Sequence, residues 1–333
     1  MSKINIYDFL NKPNTLRNLS DEMFEEYLPE LAQQLSQVDY HFNYSNDELM
    51  EDWKKLQKYF NKDFGTAAQT RPGMKLCEHF FPNFFNIKNS KGQTFKDYWV
   101  PDKLQKVIRW NRSSHSTPYL SEMRRGVIFC NGLTKNTMYR PHLAKMINMY
   151  YQSINTVDPC CGWGGRLLGT VAAGAHYTGY EPNTETYEHL LELCNFLNIT
   201  QQVSLHNIGA EQAILEDHYN LSITSPPYYN LEIYSSEMTQ SENQYNTYED
   251  WKTQWLFPVI NKYSKKSDIT CWNVANIGKM RLADDVEQYL NNNNYQVDQI
   301  FSIGSSARQT NQNEKKNKKN YDNTFCYKII DNL

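Results

Sequence analysis

The chain has 333 residues, 40% hydrophobic and 21% charged, which fits a folded protein with room for one large α/β domain and an appendage, and excludes disordered and collagen-like classes. A net charge of -3 excludes a uniformly basic nucleic-acid coat protein, although a local basic strip is enough to meet phosphates. The seven cysteines form no CxxC pair, so no metal is expected and all seven read as reduced thiols of a cytoplasmic protein. Neither an N-terminal signal core nor a membrane-length apolar segment is visible in the sequence.

Residues 1–125 read as a mainly helical, aromatic N-terminal region. Ser20 before Asp21-Glu22 and Ser45 before Asn46-Asp47-Glu48 are helix-start patterns, the second a capping box. The stretch from Arg71 to Phe85, rich in aromatics, has no clear period. Tyr, Phe and Trp number 24, 15 and 7, and many sit among polar neighbours, either lining a groove or reflecting composition bias. A basic strip runs Lys103, Lys106, Arg109, Arg112, Arg124, Arg125; a second comprises Arg308, Lys315, Lys316, Lys318 and Lys319. Charge runs are often only solvated surface.

Residues 126–333 read as the second domain. Here strands and helices alternate as in a parallel α/β sheet. Strands are predicted at 154–157, 177–180, 202–205, 220–224 and 269–274, with a closing antiparallel pair at 299–303 and 325–330. Helices are predicted at 165–173, 183–197 and 282–291, with a short one near 210–215. The segment Ser305 to Asn323 reads as a polar loop.

Two motifs sit at predicted strand ends. Asp158-Pro159-Cys160-Cys161-Gly162-Trp163-Gly164-Gly165-Arg166 turns a strand into a helix, where glycines bring the backbone close under a ligand and the helix offers free N–H groups. Glu181 ends the next strand, 23 residues beyond Asp158, where a carboxylate suits ribose hydroxyls. The glycine spacing departs from the pyrophosphate-binding G-x-G-x-x-G fingerprint. The second motif, Ser225-Pro226-Pro227-Tyr228, follows Thr224, with 66 residues between Asp158 and Ser225. Two prolines fix the backbone and leave carbonyls as acceptors.

In this order and spacing the motifs resemble the S-adenosylmethionine-dependent DNA amino-methyltransferases that modify cytosine N4 or adenine N6. The resemblance covers residues 126–303. It implies a Rossmann-like methyltransferase fold, a mostly parallel seven-stranded sheet with a mainly helical N-terminal extension. It also implies S-adenosylmethionine as cofactor: Asp158, Cys160, Gly162, Gly164 and Gly165 at the methionine part, Glu181 at the ribose, and Asn207 near the adenine. Thr137 and Arg140 belong to the segment expected to close over methionine. In place of the family's acid after Gly209 stands Ala210.

The catalytic residues expected are Ser225, Pro226, Pro227 and Tyr228. The Ser225 oxygen and the Pro226 carbonyl would accept the two amine hydrogens, freeing the nitrogen lone pair for in-line attack, while Tyr228 stacks on the base. Ser at the first position favours cytosine N4. A base in double-stranded DNA would have to be flipped out. Recognition would fall to the N-terminal region, to the insertion from Asn230 to Tyr248, or to the lysine-rich loop. The same chemistry on RNA or protein, and a catalytically silent nucleic-acid-binding relative, are the alternatives. Bacterial or viral origin and a restriction-modification role are further expectations. Target sequence and oligomeric state are not legible.

Overall fold

The computed structural model describes residues 4–64, 70–89, 91–133, 136–277, 280–304 and 321–329. The chain divides into two interleaved units. The first is Met1–Phe42, Pro82–Thr137 and Leu231–Tyr234; the second is Asn43–Phe81, Met138–Asn230 and Ser235–Leu333. A boundary after residue 125 would therefore cut helix Leu120–Asn131, whose Met123 and Val127 are buried in the core of the first unit.

The first unit is helical, as expected. Ser20 caps α1 (Asp21–Leu35) by accepting the Met23 N–H. The apolar stripe Phe24, Leu28, Leu31 and Leu35 shares a core with Leu104, Val107 and Ile108, which repeat on one face at helical spacing. Strand-like pairing is local here: Lys88 and Ile233 exchange backbone hydrogen bonds of 3.0 Å, which ties Leu231–Tyr234 to this unit. In the second unit, α2 (Asn46–Lys58) starts at the capping box of Ser45 and Glu48, as predicted. The stretch without a period contains α3 (Met74–Phe80). Helices α4 (Pro101–Ser113) and α5 (Leu120–Asn131) join α1 in the first unit.

The second unit is built on a seven-stranded sheet of order β3-β2-β1-β4-β5-β7-β6. Its strands are β1 (Asn155–Asp158), β2 (His176–Tyr180), β3 (Val203–His206), β4 (Tyr219–Thr224), β5 (Ser267–Asn273), β6 (Tyr295–Gly304) and β7 (Tyr321–Ile329). The first five are parallel, and β7 runs antiparallel to both neighbours. This is the Rossmann-like sheet expected from the motifs. Strand order reverses between β1 and β4, and ligands bind outside the carboxyl ends of strands at such a switch point. Both motifs are there.

Helices α6 (Pro141–Tyr150), α7 (Gly165–Ala172), α8 (Thr184–Leu197), α9 (Phe257–Ser264) and α10 (Leu282–Asn292) accompany the sheet. Lys145 of α6 ties the end of α2 to this unit. Its buried ammonium donates to the carbonyls of Leu56, Gln57 and Tyr59 at 3.1, 2.6 and 2.8 Å, satisfying the exposed end of α2. Two sequence expectations fail, and one helix was not foreseen. Residues 210–215 form a turn closed by Gln212 N–H on the Gly209 carbonyl at 3.0 Å, not a helix. Helix α9 has no counterpart among the predictions; Val259, Ile260 and Tyr263 are buried with Trp255 and Leu256 just before it, so its polar face is too narrow to mark a period. Not all cysteines are thiols: Cys271 and Cys326 face each other across β5 and β7, with Cα atoms 4.2 Å apart, and form a disulfide.

Candidate active site

The organising group is Asp158, fully buried at the end of β1. Its Oδ2 accepts from Arg166 Nε at 2.7 Å and from the Tyr177 hydroxyl at 2.8 Å. Its Oδ1 accepts the Cys160 N–H at 3.0 Å and the Thr224 hydroxyl at 2.8 Å. Four donors on one carboxylate meet the condition under which a buried charge is tolerable. Burial alone would lower the Arg166 guanidinium, but the Asp158 charge beside it more than offsets this and raises it. Burial, then the Asp158 charge, push the Tyr177 phenol up, so it remains a donor. The expectation that Asp158 holds the methionine part thus meets a carboxylate already enclosed by protein donors. Asp158 shapes the turn from inside.

The turn itself follows from its glycines. Gly164 takes φ 70° as the N-cap of α7, a left-handed conformation that a side chain would strain. Gly165 does a different job: a Cβ there would overlap the Tyr139 carbonyl. The Arg166 guanidinium also donates to the Cys160 carbonyl and lies 5.2 Å from the Tyr139 ring centroid. Of the segment expected to close over methionine, Tyr139 therefore lies against the glycine turn. Arg140 is half-buried at the N-cap of α6, and Thr137 is exposed and falls in the first unit. Cys160, Gly162 and Trp163 are partly exposed along the turn, whereas Cys161 is buried.

Glu181 sits at the end of β2 with its carboxylate bridging two loops. Oε2 accepts the Gly162 N–H at 2.9 Å and Oε1 the Asn183 N–H at 3.0 Å. Burial pushes its carboxyl up to about 7, against the lowering effect of those two N–H groups. An acceptor pair beside the glycine turn fits the hydroxyls of a nucleoside ribose. Asn207 donates to the Glu181 carbonyl at 2.9 Å, bracing that position from β3. The turn after it is held by α9: the Lys262 ammonium donates to the carbonyls of Ala210, Glu211 and Ala213, and the Tyr263 hydroxyl to that of Ala210.

Ser225-Pro226-Pro227-Tyr228 leaves the end of β4 beside this turn. Thr224, immediately before it, is the residue bonded to Asp158, so one buried carboxylate registers both motifs. Ser225 is half-buried, and its hydroxyl has no hydrogen-bond partner among the described residues. Pro226 is buried and Pro227 half-buried. The Tyr228 hydroxyl accepts the Ala275 N–H at 3.0 Å, which fixes its ring against the end of β5. The segment after the motif, from Ser235 in the second unit, returns to the Glu181 turn. There the Glu237 carboxylate accepts from Thr184 N–H and Oγ1 at 3.2 and 3.0 Å, while Thr239 Oγ1 donates to the Pro182 carbonyl at 3.1 Å. Thr224, Tyr177, Arg166 and Glu237 were not among the predicted site residues. Only the adjacency of Thr224 and Arg166 to the motifs would have flagged them.

The N-terminal basic strip divides on inspection. Arg109 makes two bonds to Glu25, and Arg112 binds Asp21 and the Leu16 and Leu19 carbonyls. Arg124 donates to the Tyr40 carbonyl. These guanidiniums hold the helical unit together. The second strip, Arg308 and Lys315 to Lys319, lies outside the described residues. Among the described residues there is no cluster of metal ligands and no helix long and apolar enough to cross a membrane.

No protein-family model and no curated protein matches the chain. Similar solved structures exist. One is described as a putative RNA methyltransferase from Pyrococcus horikoshii, 13% identical, TM-score 0.40, covering 57% of this chain and 83% of its own. A second, a putative rRNA methylase from Clostridium thermocellum, is 13% identical with TM-score 0.38, covering 59% and 100%. A third, magnesium protoporphyrin IX methyltransferase from Synechocystis with bound S-adenosylmethionine, is 11% identical with TM-score 0.36, covering 59% and 87%. Likeness at this level says nothing of substrate.

Proposed function

We propose that this protein transfers a methyl group from S-adenosylmethionine to the exocyclic amine of a flipped DNA base, cytosine N4 ahead of adenine N6. The observation that carries the reading is the pairing of the two motifs through Asp158: the glycine turn and Ser225-Pro226-Pro227-Tyr228 stand side by side at the switch point of the sheet. The cofactor supplies an electrophilic methyl on a sulfonium. Glu181 offers two acceptor oxygens for ribose, and the backbone of Gly162 to Gly165 lies beside them. Ser225 Oγ and the Pro226 carbonyl accept the amine hydrogens, which draws the nitrogen lone pair out of the ring. Tyr228, fixed by Ala275, presents a face for the base. The N–C bond would form as the methyl–sulfur bond breaks, leaving a neutral thioether. The methylated nitrogen would then release one proton to solvent, so that no titrating general base is required to begin the attack.

The test is methyl transfer from labelled S-adenosylmethionine to unmethylated DNA, with digestion to nucleosides and mass spectrometry. N4-methylcytosine is expected; N6-methyladenine would keep the mechanism and change the base. Ser225→Ala should lower the rate roughly 100-fold or more while DNA and cofactor binding stay near wild type. Unchanged transfer in that variant would falsify the assigned role of Ser225. Label appearing only in RNA or protein would move the substrate to those classes.

A further inference from the structure

The first unit carries a surface that its own packing leaves unexplained. Helix α4 has two flanks. On one, Arg109 and Arg112 turn to the acids of α1 and are neutralised there. On the other, Lys103, Lys106 and Trp110 recur at helical spacing on one edge, and neither lysine has a hydrogen-bond or ion-pair partner among the described residues. Helix α5 lies against that edge: a Cβ on Gly126 would touch Val107 and Trp110. Two of its residues flank the indole. The Phe129 ring centroid is 5.8 Å from that of Trp110, and the Arg125 guanidinium is 5.4 Å from the indole face. Lys106 is close enough to Cys130 to pull its thiol down against the rise that burial causes.

Phe129 is 68% exposed, on a helix whose inner face already supplies Met123 and Val127 to the core. Nothing in the fold asks for a phenyl ring there. Arg125, 60% exposed, is only loosely engaged by Glu122 at 3.3 Å. An exposed ring paired with an indole, bordered by three cations, matches what an unpaired nucleic-acid strand requires: a π face for a base and positive charge for phosphates.

We infer that the α4–α5 edge formed by Lys103, Lys106, Trp110, Arg125 and Phe129 binds a nucleic-acid strand, with a base on the Phe129–Trp110 rings and phosphates at the cations. The inference rests on the nucleic-acid substrate of the proposed function and assigns it a second point of attachment. It replaces the whole N-terminal basic strip with half of it: Lys103 and Lys106, and Arg125, whose ion pair is to Glu122 of its own helix.

Fluorescence anisotropy on the full chain tests it, using labelled single-stranded DNA, the same sequence as duplex, and the matching RNA. Phe129→Ala should weaken single-strand binding roughly tenfold. Lys106→Glu should weaken it and reduce the slope of log K against log salt by about one or more. Arg17→Glu, an exposed arginine off this edge, serves as the control and should leave the affinity within about twofold. Circular dichroism checks that the variants fold; both changed side chains are exposed. Wild-type affinity in Phe129→Ala and Lys106→Glu, with methyl transfer to DNA intact in the parent, overturns this surface and leaves the proposed function standing. A parent that neither binds nor methylates nucleic acid overturns both. A change in oligomeric state on Phe129→Ala, seen by light scattering with strand binding unaltered, assigns the edge to a second copy of the chain and also overturns the proposal.

Discussion

At the scale of single residues, the site depends on which atoms share Asp158. Thr224 contributes one of its four donors, and it immediately precedes the Ser225-Pro226-Pro227-Tyr228 turn. Thr224→Val keeps the shape and removes the hydroxyl, leaving Arg166, Tyr177 and Cys160 on the carboxylate. The turn then loses its tether while the cofactor loop keeps its own. The turnover number should fall about tenfold, with cofactor affinity within about threefold of wild type. Thr224→Ser restores the hydroxyl and should recover most of the rate. Steady-state kinetics with calorimetric cofactor titration separates the two quantities. A serine variant as slow as the valine one would assign the effect to packing.

At the scale of elements, helices are held to neighbouring segments by close approach and by lysine amines as well as by caps. Gly165 begins α7 against the Tyr139 carbonyl, and Gly169 meets the Pro141 carbonyl one turn later. Gly165→Ala forces backbone to move, because the opposing atom cannot rotate away. The expected cost is about 1–3 kcal/mol, read as a lower midpoint in denaturant with an unchanged slope. A variant as stable as the parent would mean that α7 and the Tyr139 segment can part without loss. Lys145 and Lys262 have parallel roles, each satisfying three carbonyls that a terminating helix or a turn leaves exposed. Such lysines read as surface charge in a sequence, yet burial lowers both.

For the molecule as a whole, Glu181 links stability to pH and, under the proposed function, cofactor binding as well. Its carboxyl stands at about 7 in the folded chain against 4.5 ordinarily, chiefly through burial. Between those values the folded state holds a proton that the unfolded state has released. Its contribution to stability is therefore largest at and below pH 4.5, falls as pH rises, and levels off above about 7. The span is on the order of 3 kcal/mol. Comparing Glu181→Gln with the parent in denaturant titrations at pH 5 and pH 8 isolates it: the parent should lose more stability than the variant across that range. Cofactor affinity should run the other way, rising with pH as the ionised carboxylate gains acceptor strength for ribose. Parallel pH profiles in parent and variant would remove Glu181 from both effects.

Legible in the residues alone were the order of the strands, the two capped helix starts, and the strand-end positions of Asp158, Glu181 and Ser225-Pro226-Pro227-Tyr228. Each of these rests on short-range chemistry: apolar runs, glycines at a turn, prolines that fix φ. The contacts that escaped such a reading join distant parts of the chain. Thr224 meets Asp158 across 66 residues, Lys145 meets the end of α2 across 86 to 89, and Thr184 meets Glu237 across 53. The split of the basic strip into internal ties and a free edge is of the same kind, and so is the interleaving of the two units. Neighbours in sequence constrain a backbone, whereas the partner of a buried charge is set by whatever packing brings within about 3 Å, and no local pattern of residues records that.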